Sequence, residues 1–360
     1  MSHVDILIVN ALKMEHDAAK AALEAAGVAL TRYENTGGVP HLAGSLLTQA
    51  GAKQVVLARA TRMGAVPVSS VAASLASQLH PTCVAMSGVC AGNPSDVALG
   101  DVIVAELAYA YDEGKRSAKG FEGDHRQIPL ADDWQRIAQE LALEALPSFG
   151  EPDDAERRFW FLEQLAALTN PAHHPARERY LEGARWGEIV RSLENEKLIE
   201  RDVEQFSLTD LGRDAVAARR AYGVAPLAKL PFAVHVGPVA SGNAVVKDGV
   251  TWEMLKGQGV RTVLGLEMEA AAISQVAHRL GIPRWIVVKG VMDHADPNKD
   301  DLFKPFAARA SAEVLVRMLQ TASLPTSRGV EPSSGGSATN VVGNIQGSNI
   351  SINQAVKSQM

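Results

Sequence analysis

The sequence predicts an α/β protein, a three-layer sandwich around a central mixed, largely parallel sheet. Short apolar runs rich in β-branched residues recur along the chain and are typical of buried parallel strands. Between them lie stretches with apolar residues at three- and four-residue spacing, which is typical of helices. Such alternation favours a sheet covered by helices on both faces. The 360 residues are enough for one large domain or for two or three ordinary ones.

Composition argues against several classes of protein. The formal net charge of −6 provides no basic surface for tracking phosphates, so we do not expect DNA as a partner. Cys83 and Cys90 provide no disulfide framework, which indicates a reducing, cytoplasmic location. No run of about 18 apolar residues occurs, so we expect no membrane contact through a spanning helix.

The first strand and helix have an acid at their junction. Residues 4–11 predict a buried strand, and a helix begins near Leu12 and stops at Gly27. Glu15 lies in the first turn of that helix, where an acid is favoured for electrostatic reasons alone. On its own, this position favours a structural role.

Two further strands follow, over residues 53–58 and 83–87, with a helix from Val66 to Leu79 between them. After the third strand we expect Gly88-Val89-Cys90-Ala91-Gly92 to form a glycine-rich turn whose backbone N–H groups approach an anion or a sugar. The segment lacks the spacing of dinucleotide and P-loop motifs, so it is a weak signal by itself. A strand from Asp101 to Tyr111 and a helix from Ala131 to Leu146 come next.

Residues 148–230 interrupt this α/β pattern. A helix over 187–198, a hairpin over 199–208 and a helix beginning at Leu208 resemble a winged-helix module. Asp and Glu outnumber Lys and Arg here, which argues against a DNA-binding surface. We therefore expect an inserted winged-helix-like module that contacts a protein partner or a regulatory ligand.

Three further acids follow the insert. Glu267 and Glu269 precede a predicted helix over 270–280, and Asp293 follows a predicted strand over 286–288. In open α/β sheets, ligands bind at the carboxyl ends of strands. Acids are also favoured at helix N-termini, and Asp is a common turn residue. The pattern alone leaves both interpretations open.

The end of the chain predicts a helix, a linker and a tail. Residues 302–319 have helical spacing, and residues 323–340 are rich in Pro, Ser, Gly and Thr, as in a flexible linker. Residues 341–360 alternate apolar and polar side chains like a short strand. This β-like tail is either a disordered end or a strand that pairs with a sheet edge of this protein or a partner.

Five segments taken together resemble the nucleoside phosphorylase and nucleosidase superfamily, especially the methylthioadenosine/adenosylhomocysteine nucleosidases. They are Ala11 to Glu15, Gly88 to Gly92 with Gly100-Asp101, Ser241-Gly242-Asn243, Leu266 to Ala270, and Val288 to Asp293. The resemblance covers residues 4–147 and 231–320, so we expect one domain over residues 1–147 and 231–322 with residues 148–230 as an insertion. It implies a three-layer α/β domain that forms a homo-oligomer, and it implies no cofactor and no metal.

The resemblance also implies a role for each acid. Asp293 corresponds to the acid that protonates the leaving purine, and Glu15 to the base that activates water. Glu269 corresponds to the carboxylate that binds the ribose hydroxyls, with Met268 beneath the sugar. Cleavage of an N-glycosidic bond requires acidic side chains of this kind. One carboxyl group must donate a proton, while others stay anionic beside an oxocarbenium-like sugar. The remaining implied pocket residues are Gly88, Val89, Cys90, Ala91, Gly92, Asn243, Val245 and Glu267.

Departures from the family pattern bear on the substrate. Hexameric phosphorylases have a phosphate-binding Arg where this chain has Ala85-Met86-Ser87, which favours attack by water. No aromatic residue occurs at Val245-Val246, which argues against the usual methylthio substrate. Arg59 and Arg62 are candidates for binding a 5′-phosphate, or they are solvated surface residues. Lys289 occurs where the nucleosidases have Arg.

The segment from Lys289 to Leu315 also looks like phosphorylase-like domains of bacterial defence proteins, some of which deplete cellular adenine nucleotides. These resemblances imply a purine N-ribosyl hydrolase acting on an adenine nucleoside or nucleotide, with ATP and AMP as candidates in antiviral defence. A phosphate-dependent phosphorylase and a catalytically silent nucleotide-binding module are the alternatives.

Overall fold

A computed structural model describes residues 4–34, 38–118, 120–202, 205–222, 227–258, 260, 262–297 and 300–324. Its strands, in chain order, are β1 (Ile6–Asn10), β2 (Thr31–Tyr33), β3 (His41–Thr48), β4 (Gly51–Arg59), β5 (Cys83–Gly92), β6 (Val102–Ala110), β7 (Gly114–Ser117), β8 (Gly120–Gly123), β9 (Ile128–Pro129), β10 (Ile199–Asp202), β11 (Gln205–Leu208), β12 (Val234–Ser241), β13 (Gly265–Glu267) and β14 (Arg284–Asp293).

The described helices alternate with these strands over most of the chain. They are α1 (Lys13–Ala25), α2 (Ala65–Leu79), α3 (Asp132–Gln139), α4 (Asp154–Ala166), α5 (Arg177–Tyr180), α6 (Ala184–Asn195), α7 (Asp210–Tyr222), α8 (Thr251–Gly257), α9 (Ala270–Arg279) and α10 (Lys304–Thr321). No described helix is long and apolar enough to cross a membrane.

One large sheet organises the protein, with the strand order β13-β12-β6-β14-β5-β1-β4-β3-β2 and with β9 beside β6. The pairs β1–β4, β1–β5, β5–β14 and β6–β12 are parallel, whereas β6–β14 and β3–β4 are antiparallel. The predicted α/β fold with a central mixed sheet is therefore confirmed, whereas the sheet is not largely parallel, because five of its described pairings are parallel and five are antiparallel. The central strands β1 and β5 are buried along their whole length, which explains why the sequence shows them as continuous apolar runs.

Helices cover the two faces of the sheet in pairs. Helix α1 packs against α10, and α2 packs against α9. The contact between α10 and β14 is very close at Gly290, where a Cβ atom would lie 2.1 Å from the carbonyl oxygen of Ala307. This position therefore excludes any side chain, and α10 lies directly on the strand that ends at Asp293.

Three sequence predictions differ from the structure. Residues 88–92 are the second half of β5 and not a turn, because their backbone pairs with β14 and β13. Strand β14 is likewise longer than predicted and contains Asp293 as its last residue. The amphipathic helix predicted to reach Leu146 ends at Gln139 and is followed by a short 3-10 turn over Leu143–Ala145. In the first two cases strand pairing with distant residues overrides the local pattern.

The segment over residues 148–230 contains four helices and a hairpin among its described residues. Helix α6, the antiparallel β10–β11 hairpin and helix α7 match the predicted helix, hairpin and helix in order. Assignment of this segment as an inserted winged-helix-like module stays a prediction. The predicted tail over 341–360, and the linker over 323–340 beyond Leu324, lie outside the described residues.

Candidate active site

A cavity of about 150 Å³ lies where the carboxyl ends of β1, β5 and β14 meet β13. Parallel strands bring their carboxyl ends to one edge of a sheet, which is where the fold collects polar side chains. Predicted site residues that line the cavity are Glu15, Val89, Cys90, Ala91, Val245, Glu267, Met268 and Glu269.

Glu15 is held by backbone groups from two elements. Its Oε2 accepts hydrogen bonds from the backbone N–H groups of Ala11 (3.2 Å) and Leu12 (2.9 Å), and its Oε1 accepts one from Val89 (3.0 Å). The side chain is only 2% exposed. A Cβ atom at Gly88 would lie 2.6 Å from Glu15 Oε1, so this glycine serves the close approach of the carboxylate to β5. Glu15 therefore has a fixed position at the cavity wall.

The carboxylate of Glu267 is bound by side-chain and backbone groups of the protein. Its carboxylate accepts from Ser241 Oγ (2.5 Å), from the backbone N–H groups of Glu269 and Ala270, and from Lys289 Nζ (2.8 Å). It thereby satisfies N–H groups at the start of α9, which is the helix-terminus role that the sequence left open for both acids. The hydrogen bonds of Glu267 therefore stabilise the fold around the cavity.

Glu269 is more open to the cavity than Glu267. Its Oε1 accepts a hydrogen bond from the backbone N–H of Gly64 (2.8 Å), and its Oε2 accepts one from Lys289 Nζ (3.1 Å). Met268, the preceding residue, also lines the cavity. This geometry leaves the Glu269 carboxylate with acceptor capacity for hydroxyl groups of a ligand.

The pKa values of Glu267 and Glu269 are shifted in opposite directions. Burial disfavours the Glu267 carboxylate, but the adjacent Lys289 ammonium overcomes this effect and lowers the pKa of Glu267. Burial raises the pKa of Glu269, and the nearby carboxylates of Glu267 and Glu15 raise it further. Burial opposes charge on Lys289 too, yet Glu267, Glu269 and Glu15 hold its pKa well above the ordinary value. One ammonium group therefore faces three carboxyl groups.

Asp293 ends β14 next to a bulge. The pairing of β14 with β5 shifts between Val291 and Asp293, and Met292, the residue between them, lines the cavity. Bulges of this kind change the direction of side chains near functional sites. Asp293 is buried, and its Oδ1 accepts a hydrogen bond from the backbone N–H of Ala295 (2.8 Å). Among the described residues, Asp293 borders the cavity through Met292 and is not itself part of the lining.

Other predicted site residues lie farther from the cavity. Arg59 and Arg62 are exposed, and Arg59 Nη1 donates to the carbonyl oxygen of Ala60 (3.0 Å). Asn243 binds Asp112 Oδ2 through its backbone and side-chain N–H groups and lines a separate cavity of about 400 Å³. Gly92 lies at the end of β5 outside the cavity lining. Phosphate binding by the two arginines stays a prediction.

Two lysines at the site, Lys289 and Lys304, were not predicted as site residues from the sequence. Lys289 is completely buried and connects Glu267 to Glu269, although the sequence marked it only as a departure from the family pattern. Lys304, the first residue of α10, lines the cavity and was not predicted as a site residue. Pro305 beside it was an available signal, since Pro favours the first turn of a helix.

Comparison with known proteins identifies relatives of this chain. A family model described as the phosphorylase superfamily matches residues 195–320. An uncharacterised protein of Sinorhizobium fredii is 27% identical over 257 residues, which cover 71% of this chain and 46% of the relative. A 5'-methylthioadenosine/S-adenosylhomocysteine nucleosidase of Actinobacillus succinogenes is 34% identical over 89 residues, which cover 24% of this chain and 38% of the relative. The chain thus spans less than half the length of these curated relatives.

Solved structures share the fold over most of their length. The 5'-methylthioadenosine/S-adenosylhomocysteine nucleosidase of Neisseria meningitidis, in complex with methylthio-immucillin-A, has a TM-score of 0.53 and 18% identity, covering 88% of this chain and 98% of that one. The futalosine hydrolase of Helicobacter pylori has a TM-score of 0.53 and 17% identity, covering 88% and 97%. These likenesses show a shared fold, and the family-model match over residues 195–320 confirms the predicted resemblance to the superfamily.

The phosphorylase-superfamily match contains part of the site. Residues 195–320 include Glu267, Glu269, Lys289 and Asp293, whereas Glu15 and strand β5 precede the match. The match also begins within the segment that the sequence suggested to be inserted.

Among the described residues, no group of three or more His, Cys, Asp and Glu side chains has an arrangement that could hold a metal ion.

Proposed function

We propose that this protein is a purine N-ribosyl hydrolase that cleaves the N-glycosidic bond of a nucleoside or nucleotide and releases the free base. The observation that carries the proposal is the excess of carboxyl groups around the cavity. Glu15, Glu267 and Glu269 lie around the buried ammonium of Lys289. Breaking the bond gives the sugar an oxocarbenium character, and nearby anions stabilise that positive charge.

Each acid has a role that suits its environment. As the bond between C1′ and the purine breaks, its electron pair moves to the base, and Asp293 donates a proton to the base. Glu15 accepts a proton from the water that attacks C1′. Glu269 binds the ribose hydroxyls above Met268. These roles rest on the family resemblance, and the cavity lining by Glu15, Met268 and Glu269 supports the roles of the two glutamates.

Water is the better nucleophile for this cavity. Where phosphorylases bind phosphate through Arg, Ser87 is fully buried, and its carbonyl and hydroxyl oxygens accept hydrogen bonds from Asn10 Nδ2 (2.7 and 3.1 Å). Anionic Glu15 at the cavity wall would repel phosphate. Both features support hydrolysis over phosphorolysis.

We further propose an adenine nucleotide as the substrate, in a cytoplasmic homo-oligomer that serves antiviral defence. Support comes from the sequence resemblance to defence proteins and from Lys304, a cation at the cavity. The segment over residues 148–230 would provide the contact with a regulatory ligand or protein partner.

A base-release assay tests this function. We expect free base from at least one of adenosine, AMP, ATP and methylthioadenosine, without added phosphate, followed by chromatography. In Asp293→Asn, kcat should fall about 10²- to 10⁴-fold, the range for loss of a general acid. Asp17→Asn is the matched control, since Asp17 is an exposed partner of Lys13 in α1.

Each alternative has its own outcome. Strict dependence on phosphate would indicate a phosphorylase, and tight binding in calorimetry without turnover would indicate a silent binding module. Release of base by Asp293→Asn at the wild-type rate would rule out the proposed role of that acid.

A further inference from the structure

The turn that follows Asp293 is held by hydrogen bonds from the segment after β12. Trp252 Nε1, in α8, donates to the carbonyl oxygen of His294 (2.8 Å), and the backbone N–H of Gly249 donates to the carbonyl oxygen of Ala295 (3.1 Å). Trp252 is buried, with 7% of the residue exposed. Residues 42 positions apart in the sequence therefore meet beside the proposed catalytic acid.

This turn determines where the carboxyl group of Asp293 lies. Asp293 Oδ1 accepts a hydrogen bond from the backbone N–H of Ala295 (2.8 Å), so the carboxyl group follows the position of that peptide group. Ala295 has a φ of 59°, a left-handed conformation that is uncommon for a residue with a side chain. Such a conformation persists only where surrounding contacts fix it. The contacts of the turn therefore control the orientation of the acid.

The side chain of His294 attaches the same turn to β5. His294 is buried, and its Nδ1 lies 2.8 Å from the carbonyl oxygen of Gly92, the last residue of β5. Its carbonyl oxygen instead accepts from the indole of Trp252. The turn is thus bound to the central sheet on one side and to α8 on the other.

The segment between β12 and α8 also lines the active-site cavity. Residues 244–246 are part of the cavity lining, and α8 begins shortly after them. Asp248 anchors the first turn of α8, because its Oδ1 accepts hydrogen bonds from the backbone N–H groups of Val250 and Thr251 (2.9 Å each). The segment therefore lines the cavity at one end and holds the turn after Asp293 at the other.

We infer that Trp252 is a positioning residue: by donating its indole N–H to the His294 carbonyl oxygen, it fixes the turn after Asp293 and orients the carboxyl group toward the leaving base. This inference rests on the proposed function, in which Asp293 is the general acid. It also assigns α8 a direct part in organising the active site.

Orientation of the acid matters when the glycosidic bond breaks. The electron pair of that bond moves to the base, and the base takes the proton of Asp293, which leaves a carboxylate. A general acid must lie within hydrogen-bond reach of the atom that it protonates, about 2.6–3.2 Å. A displaced turn would lengthen this distance and slow the chemical step, whereas the contacts with the sugar would stay.

Trp252→Phe tests this role, because it removes the indole N–H and keeps an aromatic ring in the buried site. We expect kcat for base release to fall about 10- to 100-fold, the cost of a slightly misplaced catalytic group, with KM little changed. Trp285→Phe is the matched control and should retain the wild-type kcat. Trp285 is also 7% exposed, and its Nε1 donates to the carbonyl oxygen of Pro129 (3.2 Å), but it lies at the other end of β14 from Asp293.

A double-mutant cycle shows whether Trp252 acts through Asp293. Residues that act through one another have effects that do not add. Trp252→Phe should therefore lower kcat in the wild-type background and change it little in the Asp293→Asn background. An equal fold-loss in both backgrounds would mean that Trp252 supports the site as a whole. That result, or wild-type kcat in Trp252→Phe, would overturn the inference.

Nuclear magnetic resonance of ¹⁵N-labelled protein tests the hydrogen bond without any activity. The indole N–H signals of Trp252 and Trp285 are assigned by their loss in the two Phe variants. We expect the Trp252 signal to exchange slowly with deuterium and to change its chemical shift in Asp293→Asn, while the Trp285 signal keeps its shift. Rapid exchange at Trp252, or an unchanged Trp252 shift in Asp293→Asn, would contradict the inference. If the wild-type protein releases no base, the proposed function fails, while this experiment still decides whether the indole and the acid are coupled.

Discussion

Two buried clusters of charged groups in the described part of the chain differ in the balance of charge, one around Asp101 and the other around Glu15, Glu267 and Glu269. Asp101 is completely buried, and its two oxygens bind Arg179 Nη1 (2.6 Å) and Nη2 (2.8 Å). His235 Nε2 lies 3.0 Å from Oδ2, and backbone N–H groups of Ala98 and Ala233 donate to the same carboxylate. In the other cluster, Glu15, Glu267 and Glu269 share the one ammonium of Lys289.

The difference indicates which cluster stabilises the fold and which is available for a ligand. Burial would raise the pKa of Asp101, but Arg179 and His235 hold it well below its usual range, so its charge is fully compensated. The pKa of Glu269 is instead raised by burial and by the neighbouring carboxylates. Uncompensated negative charge beside a cavity costs stability and provides attraction for a cationic sugar. We therefore expect substitutions in the two clusters to act on different properties.

The largest effect on stability should come from the compensated cluster. Arg179→Ala leaves Asp101 buried without its guanidinium partner, and loss of one member of a buried pair costs about 3–5 kcal/mol. We expect that decrease in the free energy of unfolding by urea denaturation, with unchanged kcat for base release. Arg158→Ala is the control, because its partner Glu196 is half exposed and exposed pairs contribute about 1 kcal/mol or less. Equal losses in the two variants would remove the distinction between the clusters.

The uncompensated cluster should show the opposite behaviour. Under the proposed function, Glu269→Gln replaces the charged acceptor of a hydrogen bond donated by a ribose hydroxyl, worth about 1.5–3 kcal/mol, so kcat/KM should fall by roughly 10- to 150-fold. Because a like charge is removed, the free energy of unfolding should stay equal or rise. The contrasting variant is Glu267→Gln, which weakens the contacts with Lys289 and the start of α9 and should lower stability. A destabilised Glu269→Gln would show that Glu269 is as structural as Glu267.

The pH dependence of stability should distinguish the same two acids by sign. The lowered pKa of Asp101 means that its contribution is present above pH of about 4 and is lost as the pH falls through the acid range. The raised pKa of Glu269 means that its ionisation destabilises the fold, so this contribution grows as the pH rises above about 4.3. The free energy of unfolding is measured by urea denaturation at a series of pH values. Compared with wild type, Asp101→Asn should lose the decrease in stability at acidic pH, and Glu269→Gln should lose the decrease in stability as the pH rises. The same loss in both variants would contradict this assignment.

The acids of the candidate site were named from the sequence, but their surroundings were not. Glu15 and Glu269 lie at predicted helix starts and Asp293 follows a predicted strand, and the family resemblance singled them out where the local pattern left a structural interpretation open. Their partners come from distant segments: Gly64 donates to Glu269, and Val89 donates to Glu15. No local pattern encodes such pairings.

Residues 88–92 show how a local pattern misleads. Glycine is a common turn residue, and the pattern therefore predicted a turn. In the structure, Gly88 allows a carboxylate to approach a strand, so the glycine serves a tertiary contact.

The smallest effect concerns the cation at the edge of the uncompensated cluster. Lys304 lines the cavity, and its Nζ lies 3.1 Å from Asp301 Oδ1, an exposed partner that a phosphate could replace. If the substrate is a nucleotide, Lys304→Ala should raise KM for AMP and ATP about tenfold, the effect of one charged hydrogen bond, and leave KM for adenosine unchanged. Lys256→Ala is the matched control, since Lys256 pairs with Glu253 at the same spacing on α8. An equal rise for adenosine would mean that Lys304 shapes the cavity without contacting a phosphate, and the comparison of the two clusters would then rest on the carboxyl groups alone.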